Sequence, residues 1–477
     1  MAISVTKQPT FTGVANNTNI FQLNSPSSSN AQYRVVGDIF NNNAPTVLLQ
    51  RIKQQPNSSG NVIFDIGTIL QTQLTDPAPT TLTTTSPWTR SSTNAMRYIV
   101  RWGEEWGTSP SSSVILRPGN SNSAGNPAVS GSNFYFVWNG LADPNDKLTA
   151  AATSYNWVST TKWFPTTPTP TAGSNVFTRQ VCLTDMPRTA SIRNNESLIV
   201  SFLQGNEDTT FATTNQAQDI FAHVIQVYDS ANTLLTTITS YNITGGGAGG
   251  GPRQGSNTLW SDVTAQLNYS NTTSGVNYSL MAANIGPNAY TAWNTLDWSY
   301  AIVTLYGQTD ATPTIDTTAI WDRFRLNRTE AECEYEGIRF AWKNEYGVYD
   351  FYTFDLQLDK RANITRESFE QNFVNYSNTS TGGIFTSIRQ RRGMKNFYNK
   401  IEETWTANSN WLDQDEADWL KELFYSAQVF YYSTTYSAWI PITIVSADLI
   451  EKTNPRTQQL FQYQISLMPA NQPTPRL

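Results

Sequence analysis

Hydrophobic and polar residues alternate with a period of two over many short runs, and most runs end in clusters of Asn, Ser, Gly or Pro. That pattern predicts half-buried β-strands joined by turns. Residues 32–40 and 46–52 read as two strands around the turn Asn41-Asn42-Asn43, and residues 61–66 and 96–102 as two more. Residues 67–71 have room for one helical turn. Before them, residues 1–30 are polar, with loop clusters at Asn16-Asn17 and at residues 25–29. Further strands are predicted at 134–138, 176–183, 196–202, 221–228, 236–239, 277–281 and 300–306.

The texture changes near residue 320, where charge and helix signals increase. Residues 334–340 and 349–358 flank the turn Lys343-Asn344-Glu345-Tyr346-Gly347, which reads as a hairpin. Residues 398–406, 429–432, 438–444 and 460–467 supply closing strands. The clearest helix follows Asp413, which caps it, with Glu416 three residues on completing a capping box. Trp419, Leu420, Leu423, Phe424 and Ala427 then recur three or four apart.

These runs group into four stretches. Residues 1–106 form an N-terminal β domain and residues 107–175 a Ser/Pro/Gly-rich excursion or linker. Residues 176–319 form a central β-sandwich, and residues 320–477 a β-rich α+β domain with one amphipathic helix. The expected class is mainly β and multi-domain, with β-sandwich modules.

Composition sharpens this picture. Charged residues are 14% of the 477, against roughly 25% in an average soluble protein, while aromatics reach 12% and net charge is −6. Such apolar mass excludes global disorder, and the shortage of Lys, Glu and Leu argues against a helical bundle. Only one histidine is present, His223, so a multi-His metal centre is excluded. His223 sits in an alternating run and reads as a strand residue. No G-x-S-x-G elbow occurs. Cys182 and Cys333 form no metal or redox spacing, and their pairing stays open. We expect synthesis in a reducing cytosol, no signal peptide and no membrane insertion.

Several segments carry candidate chemistry. Arg101-Trp102-Gly103-Glu104-Glu105-Trp106 sets carboxylates beside rings, as a glycosidase cleft does. Adjacent strand residues point to opposite faces, however, so Glu104 and Glu105 are expected at an exposed strand end without a catalytic role. Asp310, Asp316 and Asp322, and separately Asp143-Pro144-Asn145-Asp146, are acidic enough for calcium but match no calcium-loop spacing; polar loops are the expectation. The glycine run at residues 245–251 lacks the Lys-Ser/Thr of a phosphate loop and reads as a surface loop. The basic run Arg389-Gln390-Arg391-Arg392-Gly393-Met394-Lys395 lies in an acidic chain and reads as a solvated turn or interface, so no specific nucleic acid is expected. No catalytic residue, cofactor or metal ligand is assigned, and the chain is expected not to be an enzyme. The abundant Trp and Tyr suit either buried intersubunit surfaces or glycan-stacking platforms.

Three segments carry a family likeness. Gly60-Asn61-Val62-Ile63-Phe64-Asp65-Ile66-Gly67-Thr68-Ile69 resembles an N-terminal segment of virion structural proteins of tailed bacteriophages, of the crAss-like, Bacteroidetes-infecting type. Residues 338–354, with Trp342, Asn344, Gly347, Tyr349-Asp350 and Thr353-Phe354, resemble the same group, as does the helix at 411–424 followed by Trp439-Ile440-Pro441-Ile442 and Phe461-Gln462-Tyr463. The likeness covers about the first 75 residues and most of the last 150. It implies a tail or tail-associated structural role in the virion, assembled in the host cytoplasm, and transfers no catalytic residues. The implied partners are further copies of the chain, in a homo-oligomer, and other tail or neck proteins. The alternative is a tail fibre or adhesin that attaches to host-surface glycan through the central sandwich.

Overall fold

A computed structural model describes residues 3–9, 12–41, 48–82, 87–91, 93–107, 117–118, 135–141, 148–150, 154–157, 182–206, 220, 222–242, 277–308, 315–329, 337–371, 374–387, 393–445, 462–470 and 472. The fold is mainly β, built from several sheets. The chain divides into two compact units. The first contains Met1–Glu330, Trp342–Phe351 and Asp418–Ser426; the second contains Ala331–Ala341, Tyr352–Ala417 and Ala427–Leu477.

The first unit opens with a β-sandwich. One sheet has the order Leu148–Ala150, Ser154–Trp157, Ser4–Pro9, Ile20–Asn24, Asn61–Asp65. The other runs Thr12–Val14, Tyr135–Trp138, Ala95–Glu105, Arg34–Asn41, Leu48–Gln54. Period-two alternation turns Phe21, Leu23, Val62 and Phe64 inward from one sheet, against Val35, Ile39, Val100 and Trp102 from the other. Trp102 is the hub, with ring centroids 5.1 Å from Phe64 and 5.4 Å from Phe21. The loop clusters at Asn16-Asn17 and residues 25–29 lie in turns as expected, while the same stretch also holds three strands that were not predicted, Ser4–Pro9, Thr12–Val14 and Ile20–Asn24. Their solvent faces carry Ser, Thr, Lys and Gln, which hides the alternation in a composition-based reading.

A second sandwich follows in the same unit. Its larger sheet has the order Thr189–Ile192, Ile315–Arg328, Tyr300–Gln308, Ala222–Tyr228, Leu234–Tyr241. The smaller has Ile199–Asn206, Asn277–Asn284, Trp88–Arg90. The last strand comes from far upstream: Trp88 pairs with Ala283, and its ring packs 4.7 Å from the His223 ring of the facing sheet. The strand expected at 176–183 is described only from Cys182, which makes a single isolated bridge to Phe202.

The hairpin turn at 343–347 forms as expected. Gly347 adopts φ +81°, and a Cβ there would collide with the backbone carbonyl of Asn139, so the close approach requires glycine.

The second unit is organised by a seven-stranded sheet, in which the strands Ile338–Lys343 and Tyr349–Phe354 at one end run across the division. Its order continues Val429–Ser433, Ala438–Ile444, Gln464–Pro469, Gly393–Asn408, Leu358–Gln371. The helix Gln414–Tyr425 starts as the sequence predicts. The Glu416 N–H donates to Asp413 Oδ1 at 2.8 Å, and the Asp413 N–H donates back to Glu416 Oε2 at 3.3 Å.

Candidate assembly surface

The second unit carries a long two-stranded ribbon. Leu358–Gln371 pairs with Gly393–Asn408 in antiparallel register, from Leu358 opposite Ala407 to Gln371 opposite Gly393. At about 3.3 Å per residue, the 14 residues of the first strand extend roughly 45 Å. Gln464–Pro469 flanks only Trp405 to Asn408 of the second strand. Beyond that base, no third strand flanks the ribbon among the described residues.

Both faces of the ribbon meet solvent. Residues 361–370 are exposed without exception, so inward and outward positions do not alternate. Ile364, Phe369, Met394, Phe397 and Tyr398 all stand out as exposed large apolar side chains, with Met394 at 70%. Phe397 is the extra residue of a bulge, since Glu367 faces Tyr398 while Ser368 faces Asn396. The bulge places its ring 6.1 Å from that of Phe369. A hairpin of Val374–Thr379 and Gly382–Ser387 continues the apolar display. Its Tyr376 and Phe385 are 56% and 72% exposed, with ring centroids 5.1 Å apart.

Among the described residues of the ribbon, charge is balanced. Lys360, Arg361, Arg366, Lys395 and Lys400 face an equal set of acids, Asp359, Glu367, Glu370, Glu402 and Glu403. An isolated two-stranded hairpin is marginal in water, and an open edge strand is a template for further pairing. The ribbon combines both features with exposed apolar side chains, which is the composition of a surface that another chain covers.

The residues singled out from sequence fall elsewhere. Glu104 and Glu105 are not at an exposed strand end: they are 3% and 6% exposed. Each is buried with a partner. Tyr33 Oη donates to Glu104 at 3.0 Å, and Lys53 Nζ reaches Glu105 at 2.8 Å. They sit on opposite faces of their strand, as adjacent strand residues must.

His223 is an enclosed strand residue. Its Nε2 is hydrogen-bonded to Tyr290 Oη, and Trp88 beside it donates to Ser240 Oγ at 2.9 Å. Burial lowers the His223 pKa to about 3, so the ring is neutral. Asp316 and Asp322 are in the strand Ile315–Arg328, not in a polar loop. Asp322 is fully buried, 3.1 Å from Arg188 Nε. Burial raises its pKa, and the same burial pushes the adjacent Cys182 thiol up. Lys395 lies on the ribbon. Asp310, the 143–146 turn, residues 245–251, Cys333 and Arg389 to Arg392 lie outside the described residues. No group of three or more His, Cys, Asp or Glu among the described residues is placed to hold a metal ion.

One cluster was invisible to sequence reasoning. In the first unit, Asp350 is buried and accepts hydrogen bonds from Trp419 Nε1 at 2.8 Å and Asn344 Nδ2 at 3.2 Å. Glu422 and Asp185 join it, and Tyr346 Oη donates to Asp185 at 2.7 Å. Burial first, and then the negative charges of Asp350 and Asp185, hold the Glu422 carboxyl well above the usual carboxylate range. These groups come from three segments, with Asp350 and Trp419 69 residues apart and Asp185 lying 161 residues before Tyr346, and no local spacing announces them.

Comparison with known proteins finds no family model and no curated sequence that matches this chain.

Proposed function

We propose that this chain is a structural component of a tailed-bacteriophage virion, a tail or tail-associated ring, collar or baseplate subunit that works by symmetric self-assembly. The observation that carries the assembly reading is the ribbon, some 45 Å long, with apolar side chains on both faces and an open edge. A second copy of the chain is its natural cover, because the balanced charges give a self-complementary surface. Closed symmetry uses such a surface once per neighbour and leaves none open. The β-sandwich modules of the first unit supply stiff plates. The virion assignment rests on the sequence likeness at residues 60–69, 338–354 and 411–424. In this reading the other partners are tail or neck proteins of the particle.

The test is quantitative mass spectrometry of purified phage particles that encode the chain. The expected result is the chain at a fixed copy number per particle, in the multiple a tail ring requires. Its absence from washed particles would overturn the assignment.

A further inference from the structure

A cavity of about 500 Å³ opens in the second unit, between the base of the ribbon and the turn that follows Val429–Ser433. Sheet curvature creates it. Trp405 and Tyr431 stand on strands separated by two others, three strand spacings or roughly 14 Å apart in a flat sheet. Their ring centroids are nevertheless 5.0 Å apart, at 73°. The sheet therefore curls, and these two rings line the concave side.

The lining combines rings with polar groups that donate and accept hydrogen bonds. Trp405 is 9% exposed, and its enclosed indole N–H has no hydrogen-bond acceptor among the described residues. At the mouth, Tyr436 is 70% exposed on the turn, beside the hydroxyls of Thr434 and Thr435. Gln472 closes the wall with its own bonds: its Oε1 accepts from the Glu403 N–H at 2.6 Å, and its Nε2 donates to Pro469 O at 2.7 Å and to Glu403 O at 3.4 Å. Among its described residues, the wall has one cation, Lys360, whose Nζ lies 4.9 Å over the Trp405 ring, and one anion, Glu403.

We infer that this cavity is a binding site for a neutral saccharide. A pyranose offers a C–H face to an aromatic ring and a rim of hydroxyls to side-chain donors and acceptors. Here Tyr436 supplies the ring, and Thr434, Thr435, Lys360 and Glu403 of the lining supply the partners. The volume lies within the roughly 300–1,000 Å³ of small-molecule sites. One Lys against one Glu gives no excess positive charge, which disfavours phosphate-bearing ligands. Glycoside hydrolysis normally needs two flanking carboxylates, and among the described residues of the wall Glu403 is the single acid, so the proposal is of binding alone. This inference is independent of the assembly proposal and places saccharide recognition in the second unit, not in the central sandwich.

The test is binding of the full chain to an array of neutral hexose and N-acetylhexosamine oligosaccharides, with hits measured by titration calorimetry. We expect at least one neutral oligosaccharide to bind, and Tyr436→Ala to weaken it on the order of tenfold, as the loss of one ring contact should. Tyr436 is exposed, so the variant keeps the melting curve of the parent chain. A Thr434→Val/Thr435→Val variant reads the hydroxyl contribution separately and should also weaken binding. No binding to any arrayed neutral saccharide, or hits with affinity unchanged in both variants, would overturn the inference.

Discussion

Replacing Phe369 and Phe397 together by serine removes the paired rings near the far end of the ribbon. The two side chains are 45% and 55% exposed. Taking a Phe surface as about 200 Å², they offer roughly 90 and 110 Å² to a neighbour. At about 25 cal/mol per Å², full burial of that area would contribute roughly 5 kcal/mol per ribbon, and half burial roughly 2.5 kcal/mol. Each 1.4 kcal/mol is tenfold in affinity, so the variant should weaken association by between ~60-fold and ~4,000-fold per contact. Sedimentation velocity over a concentration series measures the shift directly. Both rings are already exposed, so melting should change little, with only a few tenths of a kcal/mol lost from the ring pair itself. An association constant within about threefold of the parent would refute the reasoning. So would a variant that melts early while its assembled mass stays the same, because that result makes the pair a folding element.

Three further predictions concern single side chains of the fold. His223 is the chain's single histidine, so its proton resonances can be assigned without mutagenesis. With a folded pKa of about 3 against 6.5 unfolded, it contributes stability that is present above pH 6.5 and is lost as the pH falls toward 3. Its resonance should stay flat from pH 8 to pH 5 across the ordinary histidine value of 6.5, and a midpoint near 6.5 would contradict its enclosure. Glu422 has the opposite sign. Its folded pKa is raised above the ordinary 4.5, so its favourable contribution is present below that pH and is lost as the pH rises. Glu422→Gln should therefore raise the melting temperature relative to the parent chain increasingly from pH 6 to pH 9. A variant less stable at pH 9 would show that the carboxylate is ionised and paired. Asp413→Ala removes the helix cap at a cost of about 1 kcal/mol, which should speed exchange of the first-turn amides roughly fivefold; unchanged exchange would show that packing alone sets the helix start.

Elements with one buried face were legible in the sequence. Ala222–Tyr228 and Tyr300–Gln308 alternate because one side packs against the facing sheet, and the Asp413 cap was visible because its partner is three residues away. The ribbon was only partly legible. Both of its faces meet solvent, so no alternation marks Leu358–Gln371, although residues 398–406 of its partner strand read as β. Ile315–Arg328 was hidden by its Asp and Thr residues, and Asp322 is tolerated there because Arg188, more than a hundred residues upstream, lies against it. Glu104 and Glu105 were misplaced for the same reason: their partners Tyr33 and Lys53 are 71 and 52 residues away. Long-range pairing sets the burial of these charges, and neighbouring residues do not report it.

The most direct test of the central claim is the solution mass of the intact chain, by native mass spectrometry or light scattering across a wide concentration range. The account predicts a closed assembly of about six or twelve 53.3 kDa chains, held by surfaces that include the ribbon. A monomer at every concentration would contradict self-assembly as the function of this protein.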